Sequence, residues 1–306
     1  MDVSPLPEGI ELRPATHDDY EDVVAFTRDT WSEASDYLPD VYHDWLAGED
    51  RRTLVADADD AIAGIAQAVM LSPAEAWTQG LRVNPAFRRQ GVSRALTRAL
   101  FEWARQQGAV VARNMVFAWN AAGLGQSRGV GYEPVTEFRW LHPEPAPDDE
   151  VPARVEADPA AAWSFWTTSA TRAHLAGLAL DMDESWAMRE LTPETLGRAA
   201  EETALLAVTR EAGTRALAYR TRTVERESED GDGTETWAEY GVGAWADLEA
   251  AETLLRAVAV DAADCGADRT RVLVPETARA VSDGAYLRAG LGNHPDFVLA
   301  ADLSGR

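Results

Sequence analysis

Apolar positions in the first half of the chain follow two periods. Near-continuous apolar runs over 52–56 and 62–70 read as strands, hinged at an Asp-rich turn over 57–60. Val92, Ala95, Leu96, Ala99, Leu100 and Trp103 then recur at helical spacing, predicting a helix that ends near Gly108. Around these lie a strand over 10–13 and a helix entered through Thr16-His-Asp-Asp19 and running to about residue 30. A second helix reaches Leu46, strands occupy 77–83 and 110–117, a helix starts near Asn120, and a strand covers 132–141. The order is βααβββαβαβ. It predicts an α/β (α+β) fold, a mixed central sheet flanked by helices.

The stretch over 143–152 is rich in proline and acid and reads as a linker, giving expected domains 1–143 and 153–306. Beyond it the pattern predicts a helical region over 157–178 and strands over 204–208, 216–224 and 237–243. A helix over 247–265, a strand over 271–274, a helix over 278–289 and a strand over 297–301 follow. An acidic hairpin loop is expected over 225–235. The second half thus repeats the pattern of the first.

Composition narrows the reading. The chain has 306 residues and 46% hydrophobic content, with 52 acidic against 28 basic residues and a formal net charge of −24. Every basic residue is arginine. Such acidity opposes nucleic acid and anionic lipid, and matches a salt-adapted, halophilic-type protein. No apolar run approaches the ~20 residues of a membrane span. The single cysteine, Cys265, fits a reducing cytoplasm, and the His/Cys spacing offers no metal site. An anionic ligand would need local arginines.

That need gives weight to Arg88 and Arg89. After the strand ending Leu81-Arg82-Val83 comes Asn84-Pro85-Ala86-Phe87-Arg88-Arg89-Gln90-Gly91-Val92-Ser93, and then the amphipathic helix. A loop that opens a helix presents unpaired amides beside the positive end of the macrodipole, which suits a phosphate or pyrophosphate. Gly91 lets a ligand approach the backbone, and Arg88 and Arg89 add charge-assisted contacts. There is no Walker lysine and no three-glycine dinucleotide fingerprint.

The spacing Arg88-x-x-Gly91-x-Ser93 after a Val-x-Pro turn resembles the acetyl-CoA loop of the GNAT acetyltransferases, with Ser93 a mild departure. With Asp36-Tyr37-Leu38-Pro39 and the run to Leu46, the first half looks like the histidine N-acetyltransferase-like group, whose members pair a working domain with a divergent half. The resemblance implies a tandem GNAT (acyl-CoA N-acyltransferase) fold and acetyl-CoA as cofactor. Arg88, Arg89, Gln90, Gly91, Val92 and Ser93 would hold the pyrophosphate, and the amides of Leu81, Arg82 and Val83 the thioester carbonyl. Asn120 would contact the pantetheine arm or leaving group, and equally reads as a plain helix cap. The position where many members carry an acid-acting tyrosine is Ser127 here, with Tyr132 or Tyr37 as substitutes. Asp36, Tyr37 and Tyr42 become substrate-contact candidates, His43 the base, and Glu75 a weaker one.

In the second half the matching turn reads Trp245-Ala-Asp247-Leu-Glu249, where carboxylates would repel a pyrophosphate. That half reads as a degenerate, non-binding repeat. The expected function is acetyl transfer to the primary amine of a small molecule, a free amino acid among the options. Rivals are a non-catalytic acyl-CoA-binding protein, or an enzyme acting on a peptide N-terminus or an antibiotic. Expected partners are the amine and, as an option, a second copy of the chain in a homodimer.

Overall fold

The structure is a computed structural model that describes residues 9–28, 36–147, 151–228 and 233–305. The end of the helix expected near residue 30 and the tip of the acidic hairpin lie outside the described residues. The first half runs β1 (Glu11–Pro14), α1 (Tyr20–Thr27), α2 (Leu38–Val41), β2 (Arg51–Asp57), β3 (Ile62–Ser72), β4 (Glu75–Val83), α3 (Val92–Gln106), β5 (Val111–Phe117) and α4 (Ala121–Val130). Next come β6 (Glu133–Leu141), β7 (Arg154–Glu156), α5 (Pro159–Thr168), α6 (Ala170–His174), β8 (Leu178–Leu180), β9 (Met188–Glu190) and α7 (Pro193–Glu202). The chain ends with β10 (Ala204–Arg210), β11 (Gly213–Glu227), β12 (Thr234–Trp245), α8 (Leu248–Asp264), β13 (Arg269–Pro275), α9 (Ala278–Tyr286) and β14 (Asp296–Asp302).

Two compact units result, and neither is contiguous in sequence. The first comprises Met1–Val116, Asn120–Pro134 and Leu299–Arg306; the second comprises Phe117–Trp119 and Val135–Val298. This differs from the expected cut at the proline-rich stretch, for a hydrogen-bonding reason. β6 precedes that stretch, yet pairs antiparallel with β13 in the second unit, Val272 opposite Leu141. The chain end returns to the first unit, where the Leu303 amide donates to the Val110 carbonyl at 2.9 Å and Arg105 Nε to the Leu303 carbonyl at 3.3 Å.

In the first unit the strands run in the order β1-β2-β3-β4-β5. All neighbours are antiparallel except β4 and β5, which are parallel and joined through α3. The α3 stripe predicted from sequence is the buried one: Val92, Leu96, Leu100 and Trp103 face the sheet. In the second unit the order is β6-β13-β12-β11-β10-β7, with β12 and β13 parallel and joined through α8. Its core gathers Tyr240, Leu254, Val258, Val272 and Val274.

The second half departs from expectation in detail. The helical region over 157–178 is two helices, because Ser169 leaves the helical conformation and caps α6, its Oγ accepting from the Arg172 amide at 3.0 Å. β7, β8, β9 and α7 were not legible as periods; three of these four span only three residues each. The expected hairpin loop is strand at both ends, since β11 runs to Glu227 and β12 starts at Thr234.

Candidate cofactor and acceptor site

β4 carries the first element of the site. From Ile65 to Gln67 β3 advances two residues, while β4 spans three between their partners Arg82 and Gln79. The extra residue makes a bulge at Gly80 and Leu81. Gly80 sits at φ +63, and a Cβ there would lie 2.0 Å from the Trp45 indole, so only glycine fits. Trp45 is held in turn: its carbonyl accepts from Thr53 Oγ1 at 2.8 Å and Gln67 Nε2 at 2.9 Å.

β5 pairs with β4 only along Glu75–Trp77 and Val111–Arg113. Past that register, among the described residues, the edge of β4 leading to Leu81, Arg82 and Val83 has no strand partner. A parting of two parallel strands exposes backbone amides at their C-terminal ends, a usual ligand position in such sheets.

The loop beyond β4 is built for an anion. Asn84 Oδ1 accepts from the Ala86 amide at 3.1 Å and starts a short 3-10 turn over Pro85–Phe87. Arg89 (φ +63) and Gly91 (φ +88) are both left-handed, and such alternation turns neighbouring amides towards one side. Gly91 is the N-cap of α3 and supplies no side-chain acceptor, so the helix's first amides rely on an outside partner. A Cβ built on Gly91 meets nothing within 4 Å, which leaves that face open. Arg88, Arg89 and Gln90 are exposed, and among the described residues neither arginine is held by a carboxylate. Val92 anchors the helix in the core, and Ser93 offers its carbonyl to Thr97 Oγ1. These features fit a pyrophosphate with its attached arm.

The acceptor-side residues sort differently from expectation. Asp36 is buried, its two oxygens engaged by Arg82 Nε at 2.7 Å and Nη2 at 3.1 Å. It therefore ties the loop to β4 and has no open face for an amine. Tyr37 is exposed, with the Arg82 guanidinium 5.5 Å from its ring centre. Tyr42 is fully buried, donates to the Thr16 carbonyl at 2.7 Å, and has its hydroxyl pKa raised by burial. It packs the core and is corrected from a substrate contact. His43 is exposed, its Nδ1 2.8 Å from His17 Nδ1, with Tyr20 stacked on its ring.

The two residues of α4 also find structural partners. Asn120 caps the helix, accepting from the Gly123 amide at 2.9 Å. Ser127, expected among the catalytic residues, is buried and accepts from Asn114 Nδ2 at 3.0 Å, so the fold holds it away from an open site. Tyr132 cannot replace it: the ring is fully buried, its hydroxyl meets Thr78 Oγ1 at 2.5 Å, and desolvation holds its pKa far above normal. Glu75 is committed to Arg113 and Ser72. The sequence reading missed Trp45 and the Asp36–Arg82 pair; a lone glycine inside a strand was the available signal for the bulge.

Residues 17–124 match the model of the acetyltransferase (GNAT) family, a span covering β4, the loop and α3. The chain carries a GNAT acetyltransferase domain. Enzymes of this family use acetyl-CoA. Over 85 residues, 28% of this chain, it is 31% identical to a histidine N-acetyltransferase of Xenopus tropicalis, and that match spans 26% of the relative's own length. A GCN5-related N-acetyltransferase from Sphaerobacter thermophilus shares the fold with TM-score 0.62 at 18% identity, covering 98% of this chain and 97% of that one. A tandem GNAT protein from the clavulanic acid biosynthesis pathway gives 0.58 at 13% identity over 97% and 99%. The internal repeat fits: β3-β4-α3-β5-α4 and β11-β12-α8-β13-α9 have one connectivity, each with a parallel pair around a crossover helix. No helix among the described residues is long and apolar enough to cross a membrane.

Proposed function

We propose that the protein is an acetyl-CoA-dependent N-acetyltransferase acting on the primary amine of a small molecule, with a free amino acid the favoured acceptor. The observation that carries this reading is the open, uncapped Gly91 turn beside the unpaired edge of bulged β4. The acceptor class leans on the histidine N-acetyltransferase to which part of the first half is similar.

When bound, acetyl-CoA supplies an acetyl group activated as a thioester. Amides from Arg89 to Ser93 and the guanidinium groups of Arg88 and Arg89 hold the pyrophosphate. Amides along Leu81, Arg82 and Val83 donate to the acetyl carbonyl oxygen as negative charge grows on it. The amine attacks only when neutral, so its proton must leave; His43, exposed on the acceptor side, takes it directly or through water. A C–N bond forms, the C–S bond breaks, and the thiolate takes a proton from water, since Ser127 and Tyr132 are committed elsewhere. Asn120 shapes the start of α4 as a cap. In the second unit Asp247 caps α8 and pairs with Arg215 at 2.7 Å, so that turn repels a second coenzyme.

Thiol release from acetyl-CoA against a panel of amino acids, other amines and peptides tests the proposal. It predicts release that depends on a free amino acid and slows about tenfold or more in His43→Gln, in the range of a lost general base. Coenzyme binding without acceptor-dependent thiol would replace it with the acyl-CoA-binding reading, which the burial of Ser127 favours.

A further inference from the structure

The second unit holds a cleft of about 640 Å³ that the acetyl-transfer reading does not use. It lies at the C-terminal ends of β12 and β13, whose parallel register is recorded only from Trp237–Arg269 to Tyr240–Val272. The last residues of those strands, Trp245 and Pro275, line it, together with the start of β11 and the first turn of α9. One face of α5 completes the wall, with Ala161, Ser164, Phe165 and Thr168 at the i, i+3, i+4, i+7 spacing of a helical stripe.

The charge of this cleft inverts that of the molecule. Seventeen residues line it; two are arginine, six carry hydroxyls, and none is acidic. About one residue in six of the chain is acidic, so an average surface of this size would carry about three carboxylates. Of the carboxylates nearest in sequence, Glu211 is exposed beside Ala212 and outside the lining, and three others are committed. Asp247 binds Arg215, Asp283 accepts from the Trp245 indole at 2.9 Å, and Glu276 forms a two-point pair with Arg139. Arg215 is thereby neutralised. Arg279 is not: among the described residues its guanidinium has neither an ion pair nor a hydrogen bond, and it stands in the first turn of α9, where the helix dipole adds positive potential. Phe165 and Trp245 add aromatic surface to the same lining.

We propose that this cleft binds small organic carboxylates with an apolar body. The carboxylate meets the Arg279 guanidinium and the Ala278 and Arg279 amides, since the Ala280 amide is already capped by Thr277 Oγ1 at 3.1 Å; the body lies against Phe165 and Trp245, and the Thr214 hydroxyl flanks it. The site is independent of the acetyl-transfer reading and stands whether or not the first unit turns over. It is not a second coenzyme site, because Asp247 occupies the position a diphosphate would need.

Calorimetry on the full chain with phenylacetate and its neutral counterpart phenylacetamide tests this. Phenylacetate is expected to bind about tenfold or more tightly than the amide, as for a charge-assisted contact. Arg279→Gln should erase that preference, and Ser164→Trp, an exposed position that fills the cleft, should block both probes. The Trp245 indole N–H resonance should shift on binding in the unaltered protein. Four results would overturn the proposal: no saturable heat with phenylacetate, equal affinity for the two probes, binding indifferent to both substitutions, or displacement by coenzyme A through Arg279.

Discussion

At the scale of single residues, Asp296 stands out. It is buried at the start of β14, and desolvation lifts its carboxyl to about 6 from an ordinary 3.8, against the opposing pull of Arg271 and Arg139. The folded state thus binds the proton more tightly than the unfolded chain. The stability this contributes is complete below about 3.8 and is lost as pH rises through about 6. At neutral pH the ionised group costs up to about 3 kcal/mol. Asp296→Asn should raise the melting temperature at pH 7.5, by about 2–4 °C for each kcal/mol regained, and raise it only about a third as much at pH 4.5. An equal shift at both pH values would contradict the assignment. The sequence does not disclose this, because Asp296 owes its shift to residues far along the chain. Arg88, Arg89 and Gly91 were legible for the opposite reason: their chemistry is local to one turn.

Among elements, β4 decides the site. Its bulge is secured from outside the strand by Trp45, and a Cβ at Gly80 would collide with that ring in a left-handed backbone conformation. Gly80→Ala should therefore cost about 2–5 kcal/mol from strain and overpacking together. In a Trp45→Ala background the same change should cost less, because the collision is gone. Denaturant unfolding of the four proteins of this cycle measures the coupling; strictly additive costs would show that Trp45 does not hold the bulge. The helical period of α3 and the runs of β2 and β3 could be read directly, since packing of those elements follows their own sequence. The bulge could not, since its register depends on a residue thirty-five positions earlier. Tyr42 and Asp36 were misplaced for a related reason. Polar residues in a loop between helices resemble ligand contacts until their partners, the Thr16 carbonyl and Arg82, are seen.

For the whole molecule, the division into units runs across the sequence. Leu299–Arg306 belongs to the first unit, with Leu299, Ala301 and Leu303 buried. Losing the two leucines alone forfeits about 3–6 kcal/mol of burial, comparable to the stability of a domain. A chain ending at residue 298 should lose the cooperative melting of its first unit; an unchanged two-transition melt would argue that residues before 147 fold alone. The proline-rich stretch over 143–152 suggested a simple tandem, because a linker is visible in composition while a returning strand is visible only in its pairing.

A charge of −24 also frames the central claim, since an anionic coenzyme meets this protein favourably only where arginines and amides converge. Calorimetry of acetyl-CoA at fixed ionic strength, comparing the unaltered chain with Arg88→Ala/Arg89→Ala, tests it most directly. The account predicts one coenzyme per chain and a loss of about tenfold or more in affinity when both guanidinium groups are removed. Unchanged affinity in the double variant, or two equal sites per chain, would contradict it.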